Sequence, residues 1–300
     1  GNAITGSFPQ TFTVIDYTGS IGGLGFAGLS YSSANPHLSG TLVDDTVNTQ
    51  VKVQISAADS VVWKGNLNGN WDVNTTTNWV LGSDGTTPSN YFDYDVVTLD
   101  DVGIATPSIT LVGTITPATL SVGNTTGTYT LQGSAISGST SLAKTGAGGL
   151  TLLANNPYGG TTTINGGTVT VGNGGTSGAL GGSGNITLSA GASLVLNRSD
   201  AQTLSRVVTG GGTLISNGGN ITTSAGGNNC DIVVNSGTFV ARGGGFSAAF
   251  DAGKLITVNA GATLDTAVHS MGSSVGGGGD VPNVTLNGGS WVFNGEQYIR

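Results

Sequence analysis

Ile164-Asn165-Gly166-Gly167-Thr168-Val169-Thr170-Val171 is the stretch that decides the fold. An apolar residue and an Asn lead into a glycine pair, and strict alternation of Thr and Val follows. That is the pattern of a strand, a sharp turn and a second strand with one face buried. The phrase returns as Leu188-Ser189-Ala190-Gly191-Ala192-Ser193-Leu194-Val195-Leu196, as Val234-Asn235-Ser236-Gly237-Thr238-Phe239-Val240, and as Val258-Asn259-Ala260-Gly261-Ala262-Thr263-Leu264. A further copy is Leu286-Asn287-Gly288-Gly289-Ser290-Trp291-Val292-Phe293, and weaker ones are Gly212-Thr213-Leu214-Ile215 and Gly149-Leu150-Thr151-Leu152. The marker glycines Gly149, Gly167, Gly191, Gly212, Gly237, Gly261 and Gly289 are separated by 18, 24, 21, 25, 24 and 28 residues. Such a period with two-residue alternation inside it describes the coils of a parallel β-helix, each burying its apolar side only against its neighbours. Gly or Asn is needed at the turns because φ becomes positive there. The spacing predicts that Ile164, Leu188, Val234, Val258 and Leu286 stack into one inward column. A β-sandwich is the alternative, but it calls for tight turns every 8 to 12 residues or so and no recurring phrase.

Composition supports this reading. The 300 residues include 54 Gly, 8 Lys+Arg and 16 Asp+Glu, and only 8% are charged. All the acids but Glu296 are Asp, and the strong helix formers are scarce while Thr, Ser, Asn and Val abound, which favours strands. There is no collagen triplet, and only 7 Pro. An apolar content of 37% and a mean hydropathy of +0.12 argue for burial rather than disorder. A net charge of −8 offers no basic footprint, so nucleic acid is not an expected partner. No apolar run reaches the ~18 residues that cross a bilayer, so no membrane insertion by this segment is expected. Cys230 is the single cysteine and closes no intrachain disulfide. The opening residues lack a signal-peptide pattern, and the chain is expected to be a piece of a longer one.

Character changes along the chain. Trp63, Trp71 and Trp79 stand eight apart, and Tyr91-Phe92-Asp93-Tyr94-Asp95 follows them. From Val102 to Asn197 the only charge is Lys144. The expected organisation is a terminal β-rich segment over 1–62, an aromatic and acidic lead-in over 63–108, and parallel β-helix repeats over 109–300. Trp291 to Arg300 is strand-like and unprotected, so the coils are expected to continue past it or to stack head to tail with another copy.

A family resemblance rests on residues 141–171. Ser141-Leu142-Ala143-Lys144-Thr145-Gly146-Ala147-Gly148-Gly149-Leu150-Thr151-Leu152 runs on to Asn156-Pro157-Tyr158-Gly159-Gly160 and then to Ile164 through Val169. This resembles the autotransporter-associated β-strand repeat, L-x-K-x-G-x-G-x-L-x-L followed by N-x-Y-x-G-x-T-x-I-x-x-G-x-L, with Val169 in place of the usual Leu. Residues 63–79 resemble the lead-in to such arrays, and residues 12–28 resemble the way one ends. The resemblance implies a right-handed parallel β-helix in a secreted or surface-exposed bacterial protein, and it implies no catalytic activity.

Candidate chemistry is sparse. Gly23-Leu24-Gly25-Phe26-Ala27-Gly28 is formally a dinucleotide fingerprint, with Asp44 and Asp45 near the ribose-binding distance. The residues after it cannot form the helix that holds pyrophosphate. A polysaccharide-cleaving β-helix would need converging carboxylates. Here Asp200, Asp231, Asp251, Asp265 and Asp280 come singly, as do Arg198, Arg206, Arg242 and Lys254. Weak calcium candidates are Asp93, Asp95, Asp100 and Asp101, whose oxygens are hard ligands. His37 and His269 have no ligand spacing around them. The tryptophans fit aromatic packing that seals the first coil better than a carbohydrate platform. No catalytic or cofactor-binding residue is assigned. The expected function is that of a non-enzymatic structural solenoid: an adhesin, stalk or extracellular filament unit, with a glycan or cell-surface ligand possible. A carbohydrate-active β-helix enzyme is the alternative.

Overall fold

The computed structural model describes residues 9–223, 228–241, 254–266 and 283–293. The described residues form an all-β chain with two short 3₁₀ turns and no α-helix. They build a small antiparallel sheet followed by a parallel β-solenoid of about seven turns.

In the antiparallel sheet, Gln50–Ala58 lies between Gln10–Asp16 and Leu38–Asp45. Val51 and Ile55 on the central strand are buried, while Val14 and Ile15 on the outer strand are exposed. The hairpin closes through Asp45, whose carboxylate accepts from the Asn48 N–H at 3.1 Å, and Thr49 takes a φ of 51°.

The solenoid has two long sheets. In the nine-stranded one, Ser60–Trp63, Val96–Leu99, Thr119–Val122, Ser141–Lys144, Thr162–Ile164, Ile186–Leu188 and Val208–Thr209 run parallel, one per coil. The thirteen-stranded sheet passes from Asn70–Trp71 through Ser108–Leu111, Thr128–Gly133, Gly149–Leu152, Thr168–Val171 and Ser193–Leu196. It then continues to Thr213–Thr223, Asp231–Ala241, Leu255–Asn259 and Asn283–Asn287. One column keeps its register from coil to coil, with Tyr129, Leu150, Val169, Leu194, Leu214, Ile232, Ile256 and Val284 pairing in succession, while the pairing of Thr213–Thr223 with Asp231–Ala241 shifts at Asn217. This is the solenoid that the recurring phrase called for, and the β-sandwich alternative is excluded. The first strands of both long sheets precede residue 109, where the repeats were expected to begin.

The single column predicted from the phrase is in fact two. Ile164 pairs with Leu188 in the nine-stranded sheet, whereas Val234, Val258 and Leu286 pair in succession in the thirteen-stranded one. The phrase changes corner. At Asn165-Gly166-Gly167 it turns the chain from the nine-stranded to the thirteen-stranded sheet. At Asn235-Ser236-Gly237 it bends the single long strand Asp231–Ala241 within the thirteen-stranded sheet. Both corners ask for the same thing, a φ of +65° at Gly167 and +73° at Gly237, so the same residues serve each. Other marker glycines act differently. Gly212 is a close-approach position, where a Cβ would sit 2.6 Å from Leu188 Cγ, and its neighbour Gly211 takes the positive φ.

The start of the solenoid is sealed. Trp79–Leu81 and Pro88–Ser89 add antiparallel strands to the nine-stranded sheet, and Pro88, which has no N–H to offer, lies on its edge strand. Beneath them Trp63, Trp71, Trp79 and Tyr91 are buried together, with ring centroids 5.0 Å apart for Trp63–Trp79 and Trp71–Trp79. The edge-to-face tilts, 74° and 70°, suit the ring quadrupoles. Burial leaves these indoles unavailable as a sugar platform.

Candidate functional site

The structure spends most of the acids on turns. Asp101 accepts from the Thr125 N–H at 2.9 Å and from its hydroxyl at 2.6 Å, 24 residues on and one coil higher. Asp59 does the same for Ser83, and Asp231 accepts from the Leu255 N–H at 3.0 Å. Asp101 and Asp231 thus tie onto the next coil, while Asp59 holds the turn after the cap strand Trp79–Leu81. Those hydrogen bonds hold the Asp101 carboxyl below its ordinary value. Asp100 caps the 3₁₀ turn at Val102 N, and Asp93 accepts from the Tyr91 hydroxyl and the Thr116 N–H. The calcium candidates Asp93, Asp95, Asp100 and Asp101 therefore each have their own protein donors. Among the described residues no three of His, Cys, Asp or Glu are grouped to hold a metal.

Gly25–Gly28 forms a 3₁₀ turn that ends at an extended Leu29, so the glycine motif opens no helix and makes no phosphate cradle. Arg198 binds Asp200 through both guanidinium ends at 2.9 and 2.6 Å, and it also reaches the Gly178 carbonyl. Arg206 is half-buried beside Thr162 at 3.4 Å, and desolvation lowers its pKa. Cys230 is buried, and burial pushes its thiol up to about 12, an inert setting. Asp251, His269, Asp280 and Arg242 lie outside the described residues.

Lys144 is fully buried in the nine-stranded sheet, between Val122 below and Ile164 above. Its Nζ donates to the Gly146 carbonyl. Burial lowers its pKa, and the charge of Asp101 partly offsets that. Asparagines form a second polar seam: Asn235 Nδ2 donates to Asn217 Oδ1 at 2.7 Å, Asn259 to Asn235 at 2.6 Å, and Asn287 to Asn259 at 3.1 Å.

One cluster was not anticipated. His37, from the loop ahead of the antiparallel sheet's Leu38–Asp45 strand, places Nδ1 2.9 Å from Asp95 Oδ1 and Nε2 2.9 Å from Ser89 Oγ. The side chains of His37 and Asp95 are only 6% and 1% exposed. Asp95 also accepts from Asn35 Nδ2 at 2.7 Å and from the Phe92 N–H at 2.8 Å. The His37 ring meets Phe92 edge-on with centroids 5.3 Å apart. These contacts fasten the antiparallel sheet to the first coil. The partners come from residues 35–37 and 89–95, a distance in sequence at which no spacing rule operates.

Stacked parallel coils in register, sealed by aromatics at one end and seamed by Asn and Asp, define a repeat β-solenoid. Within it, residues 142–171 match the family model of the passenger-associated-transport-repeat, which agrees with the resemblance of 141–171 to an autotransporter passenger repeat. No curated protein and no solved structure matches the chain.

Proposed function

We propose that the chain serves as a rigid β-solenoid spacer in an autotransporter-type passenger, displayed outside a bacterial cell as part of an adhesin, stalk or filament. The observation that carries this reading is the passenger repeat at 142–171 seated in register within the stack. A rod held by neighbour contacts transmits position without needing a cavity. Almost every inward column position is apolar, and the charges are spent on turns. Display of the full-length parent on cells tests the role. Deleting the stretch from Thr119 to Gly160, two whole coils, should shorten the projection while leaving export intact. An unchanged projection length would overturn the reading.

Stacking with a further coil is the second element of the proposal. The outer edge of Asn283–Asn287 has no strand partner among the described residues, and Leu286, Val292 and Phe293 are each 47% exposed beside it. Light scattering and negative-stain imaging should show end-to-end oligomers that Leu286→Lys with Val292→Lys abolishes. A monomer at all concentrations would rule this stacking out.

A further inference from the structure

We propose that Ser89, His37 and Asp95 form a nucleophile triad that cleaves small neutral acyl esters at the junction between the antiparallel sheet and the first coil. This goes beyond the spacer role, and it revises the expectation of a chain without chemistry at this one place.

A serine is activated when a base lies within hydrogen-bond reach and a third group orients that base. Ser89 Oγ is 2.9 Å from His37 Nε2, and His37 Nδ1 is 2.9 Å from Asp95 Oδ1. Asp95 has no proton to give when ionised and is already an acceptor for Asn35 and Phe92, so the proton between it and His37 resides on Nδ1. In that tautomer Nε2 faces the serine hydroxyl as an acceptor, in competition with the Asn90 carbonyl 3.2 Å from the same Oγ. The chain order His, Ser, Asp is immaterial, because the constellation is defined by roles.

Access and substrate class follow from the surroundings. Ser89 lies on the edge strand Pro88–Ser89 and is partly exposed, while the imidazole behind it is buried. A groove of about 390 Å³ reaches the same imidazole, lined by Pro36, Ser39, Ala57, Ala58, Leu81 and Ser83 with Asp59 at its side; Ser89 lies outside this lining and meets solvent from the edge strand. Short side chains admit a small acyl group, and Asp59 together with a net charge of −8 disfavours anionic substrates. Activated esters suit the site best, since their leaving group departs with little assistance.

The steps balance. Ser89 Oγ bonds to the acyl carbon as its proton passes to His37 Nε2. The carbon–oxygen bond to the leaving alcohol then breaks, and that oxygen takes the proton from Nε2. Water attacks the acyl-serine, giving one proton to Nε2, and the carboxylic acid leaves as Ser89 recovers its proton. Ser89 and His37 touch the reacting atoms. Asp95 is a positioning residue.

The test uses the intact chain with a fluorophosphonate probe and p-nitrophenyl acetate. Peptide mass spectrometry should place one phosphonyl group on Ser89. Ser89→Ala should lose labelling and at least 100-fold of the ester turnover while melting within a few degrees of the parent. Asp95→Asn should lower kcat with KM little changed. Folded parent protein left unlabelled at Ser89, or Ser89→Ala turning over at the parental rate, would overturn the proposal and leave the cluster a structural clasp. The deletion experiment on the spacer role reads a different part of the chain, so either idea can fail alone.

Discussion

At the scale of single residues, the buried amine of Lys144 is the least expected feature of an otherwise apolar column. A charged group there forfeits hydration and regains one carbonyl, so an apolar isostere should be tolerated. Lys144→Met is expected to match the parent within about 1 kcal/mol or exceed it in urea unfolding. Because folding depresses the lysine pKa, the unfolded state binds the extra proton, and parental stability should gain on the variant as pH rises toward the ordinary lysine value. The acids act in the opposite pH range. Asp84, held by Thr86 and Thr87, and Asp45, held by Lys52 and Asn48, are lowered to about 2. Their contribution is complete above the unfolded carboxylate pKa near 4 and is lost as pH falls through the folded value. Melting temperature should therefore be flat from pH 5 to 8 and drop between about pH 4 and 2, and Asp84→Asn should blunt that drop. Chelators should leave the melting temperature unchanged, since Asp93, Asp95, Asp100 and Asp101 already have protein donors.

At the scale of elements, the corner turns set the register. A Cβ on Gly237 would lie 1.9 Å from the Gly219 carbonyl oxygen, at a φ that L-residues avoid. Gly237→Ala should cost several kcal/mol or prevent folding of the coils around it, read by chemical unfolding. Asn259 both donates to Asn235 and accepts from Asn287, so Asn259→Ala should cost roughly 1–2 kcal/mol. The strands themselves were readable from sequence, because alternation such as Thr168-Val169-Thr170-Val171 admits one local structure. Which corner each phrase occupies was not readable. Gly167 and Gly237 satisfy the same backbone demand at different edges of the coil, and only pairing with the neighbouring coil separates them. The Ser89–His37–Asp95 cluster was hidden for a related reason. It joins an antiparallel sheet to a solenoid, and neither pattern carries information about the other.

On the scale of the whole molecule, the two ends differ. The end near Trp63 is closed by antiparallel strands and a stack of four aromatic rings, while the described strands at the other end leave apolar side chains at an unpaired edge. Truncating Trp79 removes the ring that meets the other three, and Trp79→Ala should cost about 3–5 kcal/mol. In a solenoid such a loss is felt locally first, so hydrogen exchange should rise in the early coils before the later ones. The parallel pairing also has a mechanical meaning. Inter-coil hydrogen bonds run along the long axis, so tension applied to the two ends loads them one rung after another rather than all at once. Pulled in this way, the chain should yield as a train of small steps, each freeing a coil of some 24 residues and paying out about 80 Å of slack. A tether built so gives ground under drag and rewinds from the coils that remain.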